Sequence, residues 1–144
     1  MGALLHFSTD ASEINAAINH PAVRPFVGAP EIGAVDISPL LTDENLFPFG
    51  EFGGFALIWT APATREVHTF ITPEGRGRWA AEAAREGIAM AAEEGTRRLW
   101  TKIPPDADNV RSYAARMGMK ATGETVVTFG IPHAIYAMEC GSCQ

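Results

Sequence analysis

The sequence predicts one α/β domain built on a mixed sheet, and three observations predict it. An uncharged apolar run from Gly54 to Trp59 is followed, after a short turn, by an alternating run from Glu66 to Ile71. Two such neighbours make an antiparallel hairpin. A helical pattern from Trp79 to Glu94 then separates Glu66–Ile71 from a further strand, Leu99 to Ile103. A crossover helix makes the two strands it joins parallel. The chain has 144 residues, 47% of them hydrophobic and 19% charged, which suits one core and a single domain, 1–144.

Taken in order, Leu4 to Phe7 reads as a first strand. Asp10 and Glu13 have capping-box spacing before a helix whose apolar residues, Ile14, Ala17 and Ile18, recur at helical intervals. His20-Pro21 stops it. Val23 to Ile32, broken by Pro25, Gly28 and Pro30, is an irregular connection. Ala34 to Ile37 is a second strand and Ser38 to Pro48 is turn-rich. The Gly54–Trp59 run carries no charge, so it is expected to be buried on both faces. In Glu66–Ile71, Val67, Thr69 and Ile71 fall on one face and Glu66, His68 and Phe70 on the other. In the long helix Ala80, Ala84, Ile88 and Ala91 form one stripe, and Gly95 is its C-terminal stop. After Pro104-Pro105, Asp108 or Asn109 caps a short helix that ends at Gly118. Thr125–Phe129 and Ala134–Met138 are the last strands, joined by Gly130-Ile131-Pro132. The order is β-α-β-β-β-α-β-α-β-β.

The net charge of −6 argues against nucleic-acid binding, which needs a basic field. No apolar stretch is long enough to span a membrane. Met1 to His6 lacks the basic region of a signal peptide, and His6 stands where a myristoylation motif needs Ser or Thr. A cytoplasmic location is therefore expected. Cys140 and Cys143 have C-x-x-C spacing, but a redox pair belongs at a helix N-terminus. Only His133 is near enough in sequence to add a zinc ligand. No metal site is expected, and residues 140–144 read as a flexible tail.

The segment that carries chemistry is Thr72-Pro73-Glu74-Gly75-Arg76-Gly77-Arg78-Trp79, between a strand and the long helix. The first N–H groups of a helix lack partners inside it, and with the macrodipole they attract an anion. Glycines let backbone approach a phosphate, and Arg76 and Arg78 add charge-assisted donors. Arg65 and Arg85 add to this local positive excess. A pyrophosphate fits such a turn better than an uncharged ligand. A solvated Gly/Arg loop is the bland alternative.

This segment resembles the signature of the GNAT superfamily of N-acetyltransferases, Arg/Gln-x-x-Gly-x-Gly/Ala. Here it reads Arg76-Gly77-Arg78-Trp79-Ala80-Ala81: Arg76 and Ala81 match, and Trp79 replaces the middle glycine. The element order resembles the GNAT fold along nearly the whole chain. Asn109 followed by Gly118-Met119 is similar to a later family pattern, about two residues shorter here. The runs 19–26 and 67–78 look like a GNAT-like group of phage and prophage genomes. The resemblance implies a mostly antiparallel mixed sheet with helices on both faces.

It also implies acetyl-CoA as cosubstrate and transfer of its acetyl group to an amine on a small molecule or a protein. The family's base on the strand before the phosphate loop then falls on Glu66 or His68; the latter has the more suitable unperturbed pKa. The family's helix tyrosine falls one position from Tyr113, a rotation of about 100°, so core packing competes with an acid's role there. Backbone of Phe70, Ile71 and Thr72 is implied to pair with the pantetheine arm. Backbone of Gly75, Arg76, Gly77, Arg78, Trp79 and Ala80 is implied to face the pyrophosphate. Asn109 is a further cofactor contact or a helix cap. The late strands are an expected edge for a homodimer. Trp79, the displaced Tyr113 and the phage-like runs also leave a second reading, a catalytically inactive GNAT-fold structural or assembly protein.

Overall fold

The computed structural model describes residues 3–27 and 33–140. One seven-stranded sheet runs in the order β1-β2-β3-β4-β5-β7-β6. Its strands are β1 Leu5–Phe7, β2 Pro48–Gly50, β3 Gly53–Ala61, β4 Thr64–Ile71, β5 Arg98–Ile103, β6 Lys120–Thr128 and β7 Ile131–Glu139; its helices are α1 Ala11–Ile18, α2 Arg78–Glu93 and α3 Asp108–Arg116. All pairings are antiparallel except β4 with β5, the pair that α2 crosses over. The element order is the expected one, and the sheet is mixed and mostly antiparallel.

Helices cover both faces. On the back, Ala80, Ala83, Ala84 and Ala91 of α2 and Ala114 of α3 pack on Phe55, Leu57, Val67, Ile71, Leu99 and Ile103. Small alanines let α2 lie close, and a Cβ added at Gly87 would already stand 3.4 Å from the Phe55 ring. On the front, Ile14, Ala17 and Ile18 of α1 join Phe47, Phe49, Ala56 and Phe70. Alternation in β4 divides Val67 and Ile71 from Phe70 as expected. Thr69, on the back face, is exposed. The β3 run is buried on both faces only from Gly53 to Leu57, and its far end opens to solvent at Trp59.

The second strand is not Ala34–Ile37. Its backbone is bonded by helix side chains instead: Asn19 Oδ1 accepts from Val35 N at 2.7 Å and Asn19 Nδ2 donates to Val35 O at 2.8 Å. Asn15 Oδ1 accepts from Ile37 N at 2.8 Å. Two amides one helical turn apart thus do the work of a neighbouring strand. The strand falls at Pro48–Gly50, inside the stretch read as turns. The capping box is half formed. Asp10 caps Ser12 N at 2.9 Å, but Glu13 accepts from Ser8 Oγ at 2.6 Å rather than reaching back.

At the C-terminal end β6 and β7 are longer than expected and turn at Phe129-Gly130. Pro132 lies inside β7, beyond the last residue that pairs with β5, so its missing N–H interrupts no ladder on that side. Cys140, expected in a flexible tail, is buried. Its N–H bonds Arg97 O at 2.8 Å and its thiol donates to Thr96 O at 3.3 Å. Cys143 and residues 141–144 lie outside the described residues, as do 1, 2 and 28–32.

Candidate cofactor and acceptor site

Strands β4 and β5 pair for three residues only, Thr64↔Arg98, Arg65↔Leu99 and Glu66↔Trp100. The last tie is Thr101 Oγ1 to Val67 O, 3.1 Å. Beyond it β5 stays with β7 through Ile103↔Ala134, while β4 stays with β3 through Ile71↔Gly53. The two strands splay, and the gap opens toward the start of α2.

The edge of β4 that faces this gap is set by strand alternation. The Val67 carbonyl points to β5, so Thr69 and Ile71 turn their peptide groups the same way. Phe70 faces the other side. A Cβ built on Gly53 would meet the Phe70 carbonyl at 1.9 Å, which is why β3 carries a glycine with φ +109° there. Of the three residues expected to offer backbone to a pantetheine arm, Ile71 faces the gap and Phe70 does not. Thr72 is committed, its N–H bonding Phe52 O at 3.0 Å. Thr69 takes Phe70's place on the gap edge, and alternation in the sequence was the signal for it.

The turn after β4 is equally selective. Pro73–Gly75 forms a short 3₁₀ turn. The Gly75 N–H bonds Thr72 O at 2.9 Å, and the Arg76 N–H bonds Pro73 O at 3.2 Å. Gly75 is needed for packing: a Cβ there would stand 2.4 Å from Phe52 Cβ. Gly77 caps α2 with φ 100° and ψ −123°, a conformation for glycine alone. Ala81 closes the first helical bond, to Gly77 O at 3.0 Å. The N–H groups of Gly77, Arg78, Trp79 and Ala80 have no backbone partner among the described residues. Four such donors at a helix start are an arrangement that favours an anion.

Trp79 does not stand in the gap. Its ring meets Phe52 edge-on at a centroid distance of 5.3 Å and lies beside Gly50. Both belong to the β2–β3 side of β4, away from β5. The indole replaces a glycine in the motif yet leaves the splay clear. Arg76 is a strut, with Nε on Ile71 O at 3.3 Å and Nη2 on Ala22 O at 3.0 Å. Arg78 is exposed and 3.7 Å from Glu82. Arg65 does not belong to the positive cluster. It is buried at the opposite end of β4, where Nε donates to Glu44 O at 2.9 Å and its guanidinium to Thr96 Oγ1. Burial pushes that guanidinium below its usual range.

On the front face Glu66 and His68 lie side by side, with His68 Nε2 3.5 Å from Glu66 Oε1. Lys102 of β5 reaches the other oxygen, Oε2, at 3.8 Å. Lys102 was not foreseen. Its signal was a charge on the face of β5 opposite Leu99, Thr101 and Ile103, shared with Arg98 and Trp100. Burial alone raises the Glu66 pKa, but His68 and Lys102 outweigh it and hold the carboxyl below its ordinary range. The His68 ring stacks on Phe70 with 10° between planes and is 40% exposed.

Tyr113 and Asn109 are separate from this group. The Tyr113 hydroxyl donates to Ala80 O at 2.9 Å, tying α3 to the first turn of α2. Burial pushes its pKa up to about 12. Asn109 is exposed in the first turn of α3, and the cap position is Ala107, which makes no side-chain cap. Among the described residues no three metal-ligating side chains gather. No described helix is long and apolar enough to cross a membrane.

A seven-strand sheet splayed between a parallel pair, with a crossover helix starting at the open end, is the GNAT acetyltransferase fold. Solved structures bear this out. A protein of Chromobacterium violaceum assigned to the GNAT acetyltransferases matches with a TM-score of 0.69 at 18% identity, over 96% of this chain and 84% of that one. One from Salmonella typhimurium, assigned as an acetyltransferase and solved with its cofactor acetyl-CoA, matches at 0.68 and 15%, over 94% and 92%. The microcin C7 self-immunity acetyltransferase MccE, solved with acetyl-CoA and AMP, matches at 0.63 and 16%, over 94% and 91%. No family model matches the sequence, and no curated protein matches it.

Proposed function

We propose that the chain binds acetyl-CoA between β4 and β5 and transfers the acetyl group to an amine. The observation that carries this reading is the splay whose open end meets the four unpartnered N–H groups of Gly77–Ala80. Those groups suit the pyrophosphate, and the Thr69 peptide with the Ile71 N–H suits the amides of the pantetheine arm, the Ile71 carbonyl being taken by Arg76. Arg76 holds the turn to the end of β4 and to the Ala22 carbonyl beside it. Acetyl-CoA supplies an acetyl group on a thioester: one N–C bond forms, one C–S bond breaks, the amine gives up a proton, and CoA leaves as the thiolate, which takes up a proton from solvent.

His68 accepts that proton. Glu66, already paired on one oxygen by Lys102, turns its other oxygen to Nε2 and leaves Nδ1 for the amine. The acceptor reaches this group from the front face. Chain pairing along β6, exposed from Lys120 to Val127, is the proposed route to a homodimer, and the cytoplasm the proposed location.

One observation favours a second reading, a GNAT fold kept without chemistry. Tyr113, the nearest tyrosine to the family's acid position, is committed to the Ala80 carbonyl with a pKa near 12. The virion-assembly form of that reading has no support from the structures above. Thermal unfolding with acetyl-CoA, and with ATP as the control anion, separates the possibilities. Ligand at about a hundred times Kd stabilises by roughly 2.7 kcal/mol, a shift of roughly 5–10 °C. Acetyl-CoA alone is expected to give the shift, and His68→Gln is expected to keep the shift while losing turnover of an amine panel. No shift at millimolar acetyl-CoA overturns the reading. A shift without turnover of any amine supports the inactive one.

A further inference from the structure

The front of the sheet changes character at β5. Trp100 of β5 lies half-buried with its Nε1 donating to Thr60 Oγ1 at 3.0 Å, which pins the indole in one orientation. Beside it runs a groove of about 340 Å³, lined by Thr64, Arg98, Trp100, Glu124, Thr125, Val126 and Ile135. A bulge in β6 makes its far wall. The β6–β7 register slips between Ala121 and Thr125, Gly123 takes φ 88°, and Thr122 Oγ1 bonds both Ile135 O and Glu124 N. Bulges bend a strand and re-aim its side chains. Here the bulge presents Glu124 to the groove.

The charges around this groove are not equivalent. Arg98 is neutralised by Glu139 at 3.3 Å. Glu66 lies outside the groove, two residues along β4 from Thr64 and in register with Trp100, and is held by Lys102 and His68. Glu124 is exposed and has no cationic partner among the described residues. An indole face next to an unpaired carboxylate recognises an organic cation. Glu66 and Glu124 stand on strands three spacings apart, on the order of 14 Å between backbones, with Trp100, the register partner of Glu66, between them. The remaining span suits a short aliphatic chain.

We propose that the groove selects small aliphatic di- or polyamines, with the reacting amine at Glu66 and His68 and the second ammonium over Trp100 beside Glu124. This rests on the acetyl-transfer reading for its chemistry, but the recognition can be measured without turnover. Binding of 1,4-diaminobutane, spermidine and n-butylamine is followed by the Trp100 indole N–H resonance, assigned with Trp100→Phe. The two polycations are expected to bind roughly fivefold or more tightly than the monoamine, and Glu124→Gln is expected to remove that preference. Equal binding of all three, or a preference that survives Glu124→Gln, overturns the inference. Acetyl-CoA is then added and products are weighed by mass spectrometry. Acetylated diamine supports both readings. Selective binding with no acetylation of any amine supports the groove's recognition and overturns the transfer reading. Acetylation of n-butylamine as fast as of the diamines overturns the groove's role alone.

Discussion

The two halves of the sheet are built to different rules. From β1 to β4 both faces are covered, by α2 behind and by α1 with the 35–47 segment in front. The back of β5 and β7 is packed by α2 and α3 while β6 is exposed from Lys120 to Val127, and none of the three gives a residue to the front core. Trp100, Lys102 and Glu124 occupy that face instead. The border is where β4 and β5 part. The residues of the strands explain the difference: β3 is apolar from Phe55 to Trp59, whereas the front of β5 carries Arg98, Trp100 and Lys102, and β6 carries Lys120, Glu124 and three threonines. A half-covered sheet leaves a polar strip along the splay, and the candidate chemistry lies on it.

The sharpest way to break this comparison is to strike the covered half. Phe49 is fully buried in β2 under α1. Phe49→Ala should cost about 3–5 kcal/mol, a large share of a small domain's stability. Urea unfolding monitors it. A loss under 1 kcal/mol would mean that the front core is loosely packed and the contrast is overdrawn.

The next largest effect belongs to the border. Gly77 has room for a Cβ, with nothing within 4 Å, so its need for glycine is purely backbone. Gly77→Ala should cost about 1–3 kcal/mol of strain. Relief of that strain turns the first N–H groups of α2, so the acetyl-CoA-dependent rise in Tm should shrink with it. An intact rise beside a lowered Tm would place the anion away from this helix start.

How much of this was legible follows the same border. Periodicity located α1, α2 and β4, because each buries a stripe of its own period; β3 was marked by its uncharged run, and α3, which buries Ala114, by Pro104-Pro105 before it and Gly118 after it. It failed at Ala34–Ile37, where Asn15 and Asn19 bond the backbone from a distance, and at Pro48–Gly50, whose three residues are too few for a pattern. The Gly/Arg turn marked the helix start, but which N–H groups remain free depends on the 3₁₀ turn that consumes those of Gly75 and Arg76. Trp79 looked obstructive in one dimension, and its ring direction depends on Phe52 and Gly50, which adjoin it only in the fold. Glu66 and His68 were readable as a pair on one face. Lys102 and Trp100 came to them through the parallel register.

Tyr113 joins the helices behind the border. Tyr113→Phe removes its bond to the Ala80 carbonyl and should cost about 0.5–1.5 kcal/mol. The folded pKa, about 12, lies above the ordinary value of 10.0. A raised value stabilises the folded state fully below pH 10 and is lost as pH rises through 12. The gap between wild type and variant should therefore close in that alkaline window and be flat near neutrality. A variant as active as wild type would show that the hydroxyl is a tie only, and a collapse of turnover at unchanged stability would restore its claim as an acid.

The smallest effect should come from the uncovered half. Val127 is 68% exposed on β6, the outermost strand, with β7 as its one neighbour in the sheet among the described residues. A surface change there should stay within about 0.5 kcal/mol, so Val127→Ser is expected to leave the urea midpoint of the monomer unchanged. The same side chain stands on an unpaired strand edge, which invites a second chain. Sedimentation at increasing concentration reads that separately. If Val127→Ser weakens self-association without moving the midpoint, β6 is an interface and its exposure belongs to the free chain alone. If it lowers the unfolding free energy by more than about 1 kcal/mol, β6 is packed more tightly than its exposure implies, and the contrast between the two halves of the sheet narrows.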